Sequence, residues 1–158
     1  MSAHIIDRSS TETIYSQINR SLESKGKPTN TKILGQLVVP ASGGVSRRLG
    51  ITNGDPVICI ETLRQGDNIP FCIVSHFIPQ KELEPIETNY NGGSLHRFIK
   101  ERLALKLRRT DSLITAVLPQ NMPVLWVKSL NVDAHTNSPM KHAVTRFRSD
   151  RIQLAVNL

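Results

Sequence analysis

Aromatic residues are scarce in this chain: one Trp, two Tyr and four Phe, 4% of 158 residues. A platform that stacks nucleic-acid bases needs more rings than that, so base stacking is not expected. Cysteine is confined to Cys59 and Cys72, and neither takes part in a Cys-x-x-Cys or Cys/His spacing. That leaves out a zinc site and a disulfide framework, and both thiols are read as reduced core residues. No apolar run approaches the length of a membrane span. The N-terminus lacks the basic, apolar and small-residue pattern of a signal peptide, so the cytoplasm is the expected compartment. His-x-x-x-His spacing, a Gly-rich phosphate loop, paired carboxylates and a Ser/His/Asp arrangement are missing as well. Nothing therefore points to catalysis, a metal or a cofactor, and His4, His96, His135 and His142 are given no role.

What is present describes an ordinary globular chain, 39% hydrophobic and 21% charged. Its length fits one domain with a single core. The formal net charge of +7 points to an anionic partner, whether nucleic acid, an acidic ligand or both. The basic residues are spread out, at Arg47-Arg48, Lys106 to Arg109 and Arg146 to Arg151, without a dense tract.

Residues 1–10 are polar and expected to be a flexible segment, with the domain running over 11–158. From Thr11, Ile14, Ile18 and Leu22 recur every four residues and predict an amphipathic helix that Gly26 ends. Thr31 to Val39 reads as a strand, with Gly35 as a bulge. Ser42 caps a short helix carrying Val45 and Leu49 that closes at Gly50. Strands follow over Val57 to Pro79, paired as a hairpin. No element is expected over Gln80 to Asn91. Ser94 then caps a helix whose buried stripe is Leu95, Phe98, Ile99 and Leu103. Strands are expected over Lys106 to Leu118, Pro123 to Leu130, Met140 to Arg148 and Ile152 to Val156, the last closing the sheet. Six or seven strands, mostly adjacent in sequence, with three helices predict an α+β fold on an antiparallel sheet.

The hairpin carries the candidate site. Arg64 and His76 lie in strands that otherwise read as core, where an unpaired cation is costly. Either Arg64 snorkels to water from an edge position, or the pair faces an anionic small molecule. With Gly66-Asp67-Asn68 as a three-residue loop, Gln65 opposes Ile69, Arg64 opposes Pro70, Thr62 opposes Cys72, Ile60 opposes Val74 and Ile58 opposes His76. Thr62, Arg64, Val74 and His76 then share a face. A two-residue Gly-Asp loop would slip the register and send Arg64 and His76 to opposite faces. Ser94 is a second candidate, since helix N-termini attract anions, though it can equally serve only as a cap. Alternation over Lys141 to Arg148 puts Lys141, Ala143, Thr145 and Phe147 on one face. That face suits a pocket wall or a plain solvated strand. Arg148 and Asp150 can pair around the turn, with little effect on stability.

In their order these pieces resemble the effector-binding UTRA domain of GntR-type bacterial transcription regulators, HutC subfamily. Val39-Pro40-Ala41, Leu49-Gly50-Ile51, Gly54-Asp55-Pro56-Val57, Thr62-Leu63-Arg64, Phe77-Ile78-Pro79, Gly93-Ser94-Leu95 and Arg148-Ser149-Asp150-Arg151 carry the resemblance. Ser75-His76-Phe77, Gly93 to Phe98, Val127 to Asp133 and Thr145 to Leu154 look most like the PhnF-type regulators of phosphonate metabolism. The resemblance implies a chorismate-lyase-like α+β fold, a pocket between sheet and helices, and a homodimer. It also implies a non-enzymatic effector domain that binds a small anionic phosphorylated or phosphonate metabolite. Carried over position by position, the ligand-binding residues are Thr62, Arg64, Val74, His76, Ser94, Lys141, Thr145 and Phe147. Arg64, His76 and the Ser94 helix start would take the phosph(on)ate end.

Two departures stand out. Relatives that bind amino-sugar phosphates commonly carry an acidic residue in place of Lys141 and a tyrosine in place of Phe147, which argues for a more anionic ligand here. Relatives also usually have a helix of about ten residues where this chain runs from Pro119 to Pro123, a length normal for a plain strand link. The family's winged helix-turn-helix would precede the domain, and residues 1–30 are too few to form it. The expectation is an excised effector domain or a stand-alone sensor, reaching DNA only through a domain absent from these residues. The alternatives are a chorismate-lyase-like enzyme acting on an aromatic acid, a stand-alone small-molecule-binding protein, and a basic nucleic-acid module.

Overall fold

A computed structural model describes residues 4–7, 14–26, 28–83, 90–118, 123–150 and 152–155. Eight strands and three α-helices form among the described residues: β1 (His4–Asp7), α1 (Ile14–Glu23), β2 (Thr29–Pro40), α2 (Gly43–Leu49), β3 (Pro56–Gly66), β4 (Ile69–Pro79), α3 (Leu95–Leu103), β5 (Leu107–Val117), β6 (Val124–Asp133), β7 (Pro139–Arg148) and β8 (Ile152–Ala155). A short 3-10 turn, Gln80–Glu82, follows β4.

Six strands make one sheet in the order β2-β3-β4-β7-β6-β5, every neighbouring pair antiparallel. It consists of two three-strand meanders joined at the β4–β7 seam. In the first meander α2 lies on the β2–β3 connection and a tight loop joins β3 to β4, while the 3-10 turn and α3 lie on the connection between the two meanders. The α+β architecture on an antiparallel sheet is the one expected.

Two details differ from expectation. His4–Asp7, placed in a flexible segment, pairs in parallel with Ile152–Ala155. The last strand accordingly does not close the main sheet. It forms a separate two-stranded ribbon with β1, because a long chain can bring its two ends together in parallel while a tight turn cannot. The connection from Pro119 to Pro123 closes a β5–β6 hairpin in which Val117 opposes Val124. Residues 119–122, on which the expectation of a missing helix falls, lie outside the described residues.

The helices cover both faces. On one face Leu22 of α1 joins Phe71, Cys72, Val74, Val127, Ala143 and Phe147. Beside them Leu95 and Ile99 of α3 pack on Ile58, Ile60, Ile78 and Met140. On the other face Val45 and Leu49 of α2 pack on Val57, against Phe77 and Leu130. Ser42 caps α2 by accepting from the Val45 amide at 3.4 Å, and Gly50 ends the helix at φ +63°. No helix among the described residues is long and apolar enough to cross a membrane.

The β3–β4 register decides which residues meet. The loop is two residues, Asp67-Asn68, at φ +54° and +61°, with Gly66 opposite Ile69. Continued unchanged, that register would place Arg64 and His76 on opposite faces, because strand side chains alternate. An extra residue in β4 corrects the parity: Gln65 opposes Pro70, but Arg64 opposes Cys72, leaving Phe71 as a bulge. The bulge lets Phe71 and Cys72 both bury, at 4% and 3% exposure. Beyond it Thr62 opposes Val74 and Ile60 opposes His76. The expected three-residue loop is therefore replaced by a shorter loop plus a bulge. Gln65 shifts by one residue and every pairing from Arg64 onward by two, and the shared face survives.

Candidate functional site

That shared face forms the floor of a cavity of about 100 Å³. Across the seam Val74 opposes Thr145 and His76 opposes Ala143, and one strand further on Ala143 opposes Ser129 and Lys141 opposes Asn131. Seven of the eight expected residues line the cavity: Thr62, Arg64, Val74, His76, Ser94, Lys141 and Thr145. Phe147 does not. It opposes Cys72 and Leu125 under α1, at 0% exposure in the cluster around Leu22 and Phe71. Alternation places it on the correct face, but the helix above turns that end of the face into core.

The cavity roof begins with the turn ahead of α3. Ser94 accepts from the Arg97 amide at 3.2 Å and so caps the helix, while also lining the cavity. The turn is held against β2. The Gln36 amide donates to the Tyr90 carbonyl at 3.2 Å, and the Tyr90 hydroxyl donates to the Gly93 carbonyl at 3.1 Å. Gly92 sits at φ +121°, and a Cβ there would come within 3.1 Å of the Thr31 carbonyl. Only glycine satisfies both the conformation and the approach. Thr31 in turn opposes Arg64, so the turn ahead of α3 reaches the Arg64 end of the floor, while Leu95 and Ile99 carry the helix over Ile58, Ile60 and Met140.

The electrostatics are one-sided. Arg64, Arg109, Lys141, His76 and His96 line the cavity, and no carboxylate does among the described lining residues. Arg64 is 4% exposed and donates to the Asn19 side chain of α1 at 2.7 Å. Lys141 is 5% exposed, and burial alone pushes its ammonium down to about 8. Burial, then the charges of Lys141 and Arg64, hold His76 well below its ordinary range, and its Nδ1 has no hydrogen-bond partner among the described residues. Burial, then Lys141 and Lys100, push His96 down to about 4. Burial disfavours the protonated forms of Lys141, His76 and His96, and a bound anion would offset that cost. Burial, opposed weakly by Arg64, drives the Cys72 thiol up to about 12. Cys59 and Cys72 are free and on opposite faces of the hairpin, which excludes a bridge.

Several lining residues escaped the sequence reading: Thr31, Tyr90, His96, Arg109, Ser129 and Asn131. Ser129 and Asn131 alternate on β6, a signal hidden because the expected strand stopped at Leu130 while β6 runs to Asp133. His96 sits in the first turn of α3, and only the docking of that helix aims it inward. His142 is also not a surface residue. It is 3% exposed on the opposite face, its Nδ1 is 3.0 Å from the Ser129 carbonyl, and its ring stacks on Phe77. No group of three or more His, Cys, Asp or Glu among the described residues is placed to hold a metal.

An antiparallel sheet roofed by helices over a cation-lined cavity defines a small-molecule-binding domain. Comparison with known proteins is specific: the UTRA domain profile matches residues 24–153, and the chain belongs to the UTRA family, an effector-binding domain of the GntR regulator kind. It is 33% identical over 146 residues to the probable transcriptional regulator PhnF of Escherichia coli (strain K12), covering 85% of this chain and 60% of that protein. It superposes on a crystal structure of a PhnF C-terminal domain with a TM-score of 0.75 at 30% identity, over 87% of this chain and 93% of that one. The ligand-binding domain of a putative GntR-family regulator from Bordetella bronchiseptica matches with a TM-score of 0.73 at 16% identity, over 83% of this chain and 91% of that one, a likeness of fold. The chain spans about three fifths of the curated relatives it matches, whose names describe transcriptional regulators rather than enzymes.

Proposed function

We propose that this domain senses a small anionic metabolite, a phosphonate or phosphate ester, for a HutC-subfamily regulator of phosphonate metabolism in the cytoplasm. The observation that carries the reading is a cavity lined by three Lys or Arg and two His side chains, with no carboxylate among the described lining residues. In such a site a dianion finds charge-assisted partners already desolvated, at Arg64, His76 and the start of α3. Thr62 and Thr145 add hydroxyls and Val74 an apolar wall. Regulation requires that the ligand bind one arrangement of a homodimer better than another, shifting the attached winged helix-turn-helix domains. Calorimetry with methylphosphonate, inorganic phosphate and glucose 6-phosphate tests the ligand class. Saturable binding of at least one is expected, and binding of an uncharged sugar with none of the three would overturn it.

A further inference from the structure

Arg64, His76 and Ser94 account for one anionic group, and Lys141 is left over. Its ammonium is almost fully buried, at 5% exposure. Among the described residues no carboxylate forms an ion pair with it. A lysine kept only for its packing stem would carry its charge out to water. This one is instead held on the cavity wall.

Its position in the sheet places it far from the first anion site. Arg64 opposes Cys72, and Cys72 opposes Phe147 on the strand that carries Lys141. Six residues of β7 separate Phe147 from Lys141, so the backbones of the two cations stand roughly 20 Å apart along the strands. The turn ahead of α3 reaches the Arg64 end through the contact of Gly92 with Thr31. Leu95 packs with Ile58 and Met140 and His96 feels the charge of Lys141, so the helix start lies between the two ends. At the other end Lys141 opposes Asn131, and Asn131 opposes Arg109. All three line the cavity, and Asn131 is only 7% exposed. His76 lies between the two ends and feels the charges of both Lys141 and Arg64. The cavity thus has a cationic pole at each end, joined by a middle of Val74, Ala143 and Thr145.

We propose that the ligand carries an anion at both ends, a phosph(on)ate at the Arg64 pole and a carboxylate at the Lys141–Asn131–Arg109 pole. Lys141 is then the residue that selects a phosphonocarboxylate over a phosphonate with an apolar or ammonium tail. A carboxylate there gains a charge-assisted bond and relieves the buried ammonium, whereas an ammonium tail adds a like charge in a dry site. This inference rests on the anion-binding reading above.

The test is calorimetry on the whole chain at pH 7 with two matched series. One comprises phosphonoacetate, 3-phosphonopropionate and 4-phosphonobutyrate, the other ethyl-, propyl- and butylphosphonate, with 3-aminopropylphosphonate as the cationic tail. The best phosphonocarboxylate should bind at least about tenfold more tightly than its alkyl counterpart, as one charge-assisted bond implies. Lys141→Met should cut that preference to about twofold or less, and Lys141→Glu should turn it toward 3-aminopropylphosphonate. Melting curves check the fold of each variant, and Lys141→Met decides the matter if Lys141→Glu does not fold. Equal binding of the two series, or a preference that survives in Lys141→Met, overturns the second pole and leaves the first standing. If no member of either series binds while inorganic phosphate or glucose 6-phosphate does, the phosphonocarboxylate falls and the anion-binding reading stands; if none of these binds, both readings fall.

Discussion

Replacing Lys141 by Met should make the protein more stable, and the gain should vanish at high pH. Burial lowers the lysine from its ordinary 10.5 to about 8 in the fold, which corresponds to about 3 kcal/mol against the charged form. Below pH 8 the residue is protonated in both folded and unfolded chains, so the whole penalty is present. Between pH 8 and 10.5 the unfolded chain holds the extra proton, so wild-type stability rises with pH through that window. Above 10.5 both states are neutral and the penalty is gone. Methionine keeps the length and the apolar stem without the charge. Urea denaturation at pH 7 should therefore show Lys141→Met about 3 kcal/mol more stable, or melting roughly 5–10 °C higher. At pH 10 the gap should shrink to about 1 kcal/mol or less. A variant equal to or weaker than wild type at pH 7, or a gap that does not change with pH, would refute the claim that this ammonium is buried without a counter-charge.

Other positions give independent checks. Gly92→Ala should cost about 1–3 kcal/mol in denaturation, since it strains a φ of +121° and crowds the Thr31 carbonyl. Ala104→Gly, at the exposed left-handed residue ending α3 (φ +51°), should stabilise by about 0.5–1 kcal/mol in the same assay. Arg64→Lys keeps the charge but loses the planar fork and the hydrogen bond to Asn19, so affinity for methylphosphonate should fall about tenfold or more by calorimetry. His76 and His96 are held neutral in the free cavity, and a bound anion raises both. Binding should therefore take up protons and strengthen as pH falls through the bound-state values. Calorimetry at pH 6 in buffers of different ionisation enthalpy reads this directly, with smaller uptake expected in His96→Gln.

Much of the fold was legible in the chain. The helix of α3, its Ser94 cap, the Ser42–Gly50 helix and seven of the eight strands follow from period, caps and turn residues. So does the alternation that puts Lys141, Ala143 and Thr145 on one face. These are local properties, fixed by backbone sterics and by which neighbours a residue can hydrogen-bond. The strands and the face were readable, and so was the idea that Arg64 and His76 share it.

What joins those pieces was not readable. The Asp67-Asn68 loop alone would have separated Arg64 from His76, and only the Phe71 bulge, made favourable by burial of that ring beside Leu22, restores them to one face. The β4–β7 seam, the docking of α3 that turns His96 inward, and the cover of α1 that buries Phe147 all depend on surfaces far apart in sequence. The sequence by itself determined the elements and a cation-bearing face. Tertiary packing decided that this face closes into a cavity with Arg64 at one end and Lys141 at the other, because burial is set by what covers a residue, and the covering segments come from distant parts of the chain.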